Sequence, residues 1–120
     1  MNDLIEVILR ELKKIHPRVY QLEAEEEAEF PFIIFSIDTS TNTDSRDDDI
    51  LVIEIYDENQ DTTAVEDLAD VINEEFNYKC VNTNKFDTVF YKDMRKISPK
   101  DEKDDLECRE LRFEMHTYRQ

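Results

Sequence analysis

Residues 50–76 read ILVIEIYDENQDTTAVEDLADVINEEF, and a change of period inside this stretch decides the fold. Leu51, Ile53 and Ile55 alternate with Val52, Glu54 and Tyr56. That two-residue period predicts a strand over residues 50–56. Residues 57–61 form a turn. Beyond it Val65, Leu68, Ala69, Ile72 and Phe76 recur every three or four residues, the period of a helix that buries one stripe. Asp61 or Thr62 stands where an N-cap is needed, and Glu66 and Asp67 occupy the first turns, near the positive end of the dipole.

Toward the N-terminus, residues 30–37 (FPFIIFSI) are almost continuously apolar, too short for a typical helix and rich in β-formers. Pro31 places them at a strand start or a sheet edge. They are expected to pair antiparallel with residues 50–56 across a long polar, mobile connection, residues 39–49. Residues 23–29 (EAEEEAE) read as a solvated loop, and residues 19–22 as a short strand. At the start, Leu4, Ile5, Ile8, Leu12 and Ile15 follow Asp3 with helical spacing. Lys13 and Lys14 lie at the negative end of that dipole, and His16 before Pro17 ends the helix.

Toward the C-terminus, residues 77–85 are a connection, and residues 87–97 and 105–118 form a long hairpin. A register in which paired residue numbers sum to 202 sets Lys92 against Glu110, Asp93 against Arg109 and Arg95 against Glu107. Each such opposite-charge pair contributes a few tenths of a kcal/mol to about 1. The same register sets Val89 against Phe113 and Tyr91 against Leu111, which makes the hairpin an arm that is apolar at its base and charged at its tip. The whole is one α+β domain over residues 1–120: a mostly antiparallel sheet with two helices packed on one face, in the order α-β-β-β-α-β-β.

Charge is distributed unevenly. Residues 21–78 hold 19 of the 31 acidic side chains and a single base, Arg46, so this segment alone carries −18. Residues 1–20 and 79–120 each carry +1. Such a chain repels nucleic acid over much of its surface and is suited to head-to-tail association, acidic surface on basic surface. The bases Lys92, Arg95, Lys96, Arg109 and Arg112 are interleaved with Asp93, Glu107 and Glu110, which cancels the field a phosphate backbone would need. With Asp44, Asp47, Asp48 and Asp49 they are the candidate contacts between copies.

Other chemistry is weakly signalled. Glycine is absent, where ordinary usage of about 7% predicts about eight. Glycine-framed phosphate loops and nucleophile elbows are therefore excluded, and left-handed turn positions are expected to fall to Asn and Asp. Asp38, Ser40, Asn42, Asp44 and Asp49 match positions of a calcium loop, but Thr43 stands where its glycine belongs and the flanks read as strands. In the triplet at 47–49 at most Asp47 and Asp49 converge, because adjacent strand residues face opposite ways. His16 and His116 belong to no nucleophile signature and read as surface residues. Cys80 and Cys108 lack metal-ligand spacing and are expected as reduced thiols of a cytosolic product. No run approaches the roughly 20 apolar residues of a membrane span, and no signal-peptide pattern opens the sequence. No cofactor or metal is expected.

Several segments together resemble a family. Residues 15–20 (IHPRVY) with 30–36 (FPFIIFS), residues 53–63 (IEIYDENQDTT) with 65–70 (VEDLAD), and residues 109–118 (RELRFEMHTY) are similar, in that order, to the small tail-terminator (tail-completion) proteins of long-tailed phages and prophages. The resemblance spans nearly the whole chain and rests on ordinary fold-forming residues; the missing glycine and the heavy acidity depart from the family pattern. It implies a non-enzymatic virion protein whose copies, usually six, form a ring that caps the tail tube, ends its growth and offers the surface for head joining. The implied partners are other copies of the chain, the tail tube and head-completion proteins. DNA passes through without specific binding, and the location is the virion tail, reached from the host cytoplasm. Alternatives are another neck or tail-tube component, an acidic DNA-mimic inhibitor, and a carboxylate metal enzyme.

Overall fold

The computed structural model describes residues 2–42, 46–58, 62–97 and 106–119. The elements are α1 (Asn2–Ile15), β1 (Val19–Gln21), β2 (Phe32–Asn42), β3 (Arg46–Asp57), α2 (Thr63–Phe76), β4 (Cys80–Asn82), β5 (Phe86–Ile97) and β6 (Glu107–Arg119). They make one six-stranded sheet in the order β1-β2-β3-β6-β5-β4. Every pairing is antiparallel except β1 with β2. The α+β class and the antiparallel partnership of β2 with β3 follow the sequence reading; β4 lies in what reads as a plain connection, and three residues are too few to show a period.

Parity along the central strands places the core. Leu51, Ile53 and Ile55 of β3 and Leu111, Phe113 and Met115 of β6 point to one face and are fully buried, as are Ile33 and Phe35 of β2 and Phe90 of β5. The same core takes in Leu4, Val7, Ile8 and Leu12 of α1 and Val65, Ala69, Ile72 and Phe76 of α2. Phe76 sits edge-on to Phe90 at 5.2 Å and tilted to Phe113 at 5.8 Å, tying α2 to both strands of the C-terminal hairpin. Each such side chain contributes about 1.5–3 kcal/mol by leaving water.

The β2–β3 hairpin is longer than the sequence suggests. Pairing runs on from Asp38↔Ile50 through Thr39↔Asp49 to Asn42↔Asp47, with a bulge at Ser40. Most of the expected connection is therefore ladder: β3 also pairs with β6 on its other side, and a strand held on one edge readily extends its partner on the other. The parallel β1–β2 pair is joined by an acidic loop anchored at its end. His16 Nε2 donates to the Pro31 carbonyl at 2.9 Å, Arg18 Nε to the same oxygen at 3.0 Å, and Arg18 to the Phe30 carbonyl at 3.3 Å.

The C-terminal hairpin departs from the charge-matched register. Partner numbers sum to 205 from Phe86↔Arg119 to Lys92↔Phe113, and to 206 from Met94↔Arg112 to Ile97↔Arg109, with a bulge at Asp93. Lys92 thus faces Phe113 and Arg95 faces Leu111, while Glu110 faces Lys96. Up to the bulge the offset is three residues, which inverts which β5 side chains face the core; beyond it the offset is four, which does not. The observed register buries Phe86, Thr88 and Phe90 beneath the helices, an apolar gain that exceeds three exposed ion pairs. Nor is the hairpin a free arm among the described residues: β6 pairs with β3 from Glu107 to Tyr118.

Without glycine, the described residues with positive φ are Leu22 (72°) and Tyr78 (64°) rather than Asn or Asp. Both are held by backbone bonds, Leu22 N–H to Phe35 O at 2.9 Å and Tyr78 N–H to Phe90 O at 2.8 Å. The left-handed region costs a residue with a Cβ roughly 1–2 kcal/mol, and Leu22 is 66% exposed, so its side chain returns little. Leu22→Gly is expected to stabilise the fold by about 1 kcal/mol. A urea midpoint that rises without a change of slope checks this; an unchanged or lower midpoint contradicts it.

Candidate assembly surfaces

In the helix layer α2 is acidic throughout, while α1 is balanced overall and basic in its C-terminal half. α2 holds Glu66, Asp67, Asp70, Glu74 and Glu75 and no base. Asp67, Asp70, Glu74 and Glu75 are exposed at helical spacing, with Val71 (44% exposed) among them. Glu74 and Glu75 stand in the last turn, where the helix dipole disfavours negative charge. On α1 the exposed residues of the C-terminal half are Arg10, Lys13 and Lys14. Beneath them the nearly buried Glu11 is approached by Lys14 at 3.2 Å, Lys79 at 3.4 Å and Arg10 at 3.6 Å. Burial alone would raise the Glu11 pKa; Lys14 and Lys79 outweigh it and hold the carboxyl below its ordinary value.

Two of the expected interface bases are used inside the molecule. Arg109 is only 4% exposed; its Nε donates to Glu66, and its Nη1 donates to Glu107 at 3.3 Å and to the Cys108 carbonyl at 3.2 Å. Arg95 bonds Glu66 and Asp70, each at 2.5 Å. Glu66 therefore clamps α2 onto β5 and β6. Burial opposes the charge on Arg109, but its bonds to Glu66 and Glu107 raise its pKa overall. The bond from Arg109, with the field of both arginines, lowers the pKa of Glu66. Sequence reasoning places Glu66 in the dipole's favour and misses this hub, since its partners lie 29 and 43 residues away.

The other expected residues do not form one patch. Lys92 is exposed on the helix side of β5. Arg112 lies on the opposite, uncovered sheet face and bonds Glu110 at 3.0 Å. Lys96 contributes its place in β5, opposite Glu110. Asp44 lies outside the described residues. Asp47 binds Arg119, Asp48 binds Arg46 at 2.7 Å, and Asp49 is buried. Asp47 and Asp49 do converge, on a cavity of about 300 Å³ shared with Asp3, Lys85 and Arg119. Asp48 and Val52, the partner of Arg112, are four residues apart on β3, about 13 Å. The triplet and the hairpin bases are thus separate features.

The uncovered sheet face is part aromatic and part charged. Phe32 stacks on Tyr56 at 5.4 Å, with Phe30 at 5.1 Å and Tyr20 at 6.1 Å. Tyr56 donates to Glu54 at 2.6 Å, and burial together with that bond raises its pKa strongly. Across the face His116 lies 4.9 Å from the Tyr91 ring and 3.6 Å from Glu114.

Both margins of the sheet are partly open. β1 covers β2 only from Ile33 to Phe35, so residues 36–42 have no outer strand among the described residues. β4 covers β5 from Asp87 to Val89, and backbone or Asn77 bonds continue to Lys92; residues 93–97 are left without an outer strand among the described residues. The two open stretches lie toward opposite ends of the sheet, and each contains one of the bulges.

Among the described residues no group of three or more His, Cys, Asp or Glu side chains is placed to hold a metal ion, and no helix is long and apolar enough to cross a membrane. Cys80 is exposed and Cys108 buried, and the two are not joined in a disulfide. No family model and no curated protein matches the chain.

Glu66→Gln is expected to lower stability by roughly 2–3 kcal/mol at neutral pH, because the buried Arg109 loses its main charged partner. The Glu66 pKa is lowered from 4.5 in the folded protein. Its contribution is therefore complete above about pH 4.5 and is lost as pH falls through the lower folded-state value. Urea unfolding of both proteins from neutral to acid pH should show the gap closing below that point; a pH-independent gap would remove Glu66 as its source.

Proposed function

We propose that this chain is a structural protein of a long-tailed phage or prophage, a tail-terminator-like subunit. Its copies close into a ring, expected to hold six, that caps the tail tube and presents the head-joining surface. The carrying observation is the pair of unlike open margins on one small sheet, residues 36–42 of β2 and residues 93–97 of β5. Unlike surfaces on one subunit favour heterologous contact, which closes into a ring when the rotation permits, and open strand margins accept backbone pairing from a neighbour. The order of segments that resembles tail terminators supports the same reading. So does the net charge of −16, which lets DNA pass without being gripped.

In this role the chain performs no catalysis. Its work is to offer the tube end a surface that further tube subunits cannot extend, and to do so in the host cytoplasm before the head arrives. Co-assembly with a polymerising tail-tube protein tests it. Tubes of bounded length bearing an annulus of this chain at one end are expected by electron microscopy. Unbounded tubes with the chain left in solution would overturn the reading. Incorporation along the tube would favour a tube component instead, and a tight complex with a DNA-binding protein the mimic alternative.

A further inference from the structure

The exposed face of α2 and that of the C-terminal half of α1 carry complementary charge. α2 presents Asp67, Glu74 and Glu75 around the exposed Val71, with no base on the helix and two carboxylates at the dipole end that disfavours them. Folding alone gives no reason for this placement, and Asp70, the other carboxylate of that face, is already paired with Arg95. α1 presents the converse. Leu9, Arg10, Lys13 and Lys14, with Glu6, line a shallow concavity of about 480 Å³, and the aliphatic stems of these bases extend its apolar surface. An exposed aliphatic side chain ringed by acids thus meets, on the same molecule, an apolar hollow ringed by bases.

We infer that the acidic face of α2 docks on the basic face of α1 of a second copy, Val71 entering the hollow at Leu9. The occupant is another copy because the chain itself carries the complementary charge, and an exposed aliphatic side chain for the apolar hollow. Where a neighbour supplies only one of the two faces the contact is heterologous, and the pair is left with one face of each kind, on different subunits. The inference names faces for the proposed ring and rests on that reading only for closure; association through α1 and α2 stands apart from any tail.

Two charge-reversed variants test it. Glu74→Lys with Glu75→Lys places bases at the helix C-terminus, where they favour the isolated fold, so any loss of association is not a loss of folding. Arg10→Glu with Lys13→Glu reverses the other face. Sedimentation velocity across protein concentration should show wild-type mass rising at low salt and falling with added salt. Each variant alone should associate at least about tenfold more weakly. Their equimolar mixture should recover association as a species containing both, since each supplies the complement of the other. The inference is overturned if wild type stays monomeric at every concentration, if either variant alone associates like wild type, or if the mixture fails to recover. Wild-type rings that tolerate both reversals would discard this interface while leaving the tail reading in place; association through these faces without capping a tube would do the opposite.

Discussion

Two helices can cover only one face of a six-stranded sheet, and the rest of this structure follows from that constraint. The large side chains of β3, β6, β2 and β5 collect on one side because only there do α1 and α2 complete a dry layer. The opposite face keeps side chains of mixed character: the aromatic group around Phe32 and Tyr56, then Glu54, Glu110 and Arg112. The one-sided cover also sets how the helices are held. α2 is fixed by Phe76 from below and by Glu66 from its flank, so its apolar stripe is fully committed and its outer surface is free to carry charge.

What could be read from the sequence was whatever had a period. The stripe of α2 and the alternation of β3 were visible because each element buries one face. The ends of β2 and β3 were not, since Thr and Asp on a strand read like a polar turn when neither face is greasy. The hairpin register is set by packing rather than by charge. Charge matching suggested three tidy pairs, yet Phe90, Phe113 and Met115 had to share a face, and each of them outweighs an exposed pair. Arg95 and Arg109 looked like surface bases for the same reason: their partners Glu66 and Asp70 lie on another element, and no local spacing announces a contact across 25 or more residues.

The acidic block of the sequence does not become one wall. Folding divides it among the loop before β2, the Asp47–Asp49 end of the hairpin, and the outside of α2. Some of that charge is answered within the chain, by Arg119, Arg46, Arg95 and Arg109. Among the described residues the outer face of α2 is one coherent negative surface; its inner carboxylates Glu66 and Asp70 are met by Arg95 and Arg109 of the C-terminal hairpin, and Asp67, Glu74 and Glu75 face outward. Both helices carried this signal in sequence, five acids without a base in one and a basic last half in the other. It is easily overlooked when charge is summed over long segments.

The bulges at Ser40 and Asp93 bear on how copies would meet. A kink interrupts the regular spacing of backbone donors and acceptors, so a neighbouring strand can zip up only on one side of it. Each docking footprint is then short and individually feeble. In the proposed ring, misaligned subunits would fall off before they are trapped, while a closed circle would be held by many such grips acting together. Irregularity at the rims would then act as proofreading, against endless fibrils and in favour of an assembly of finite size.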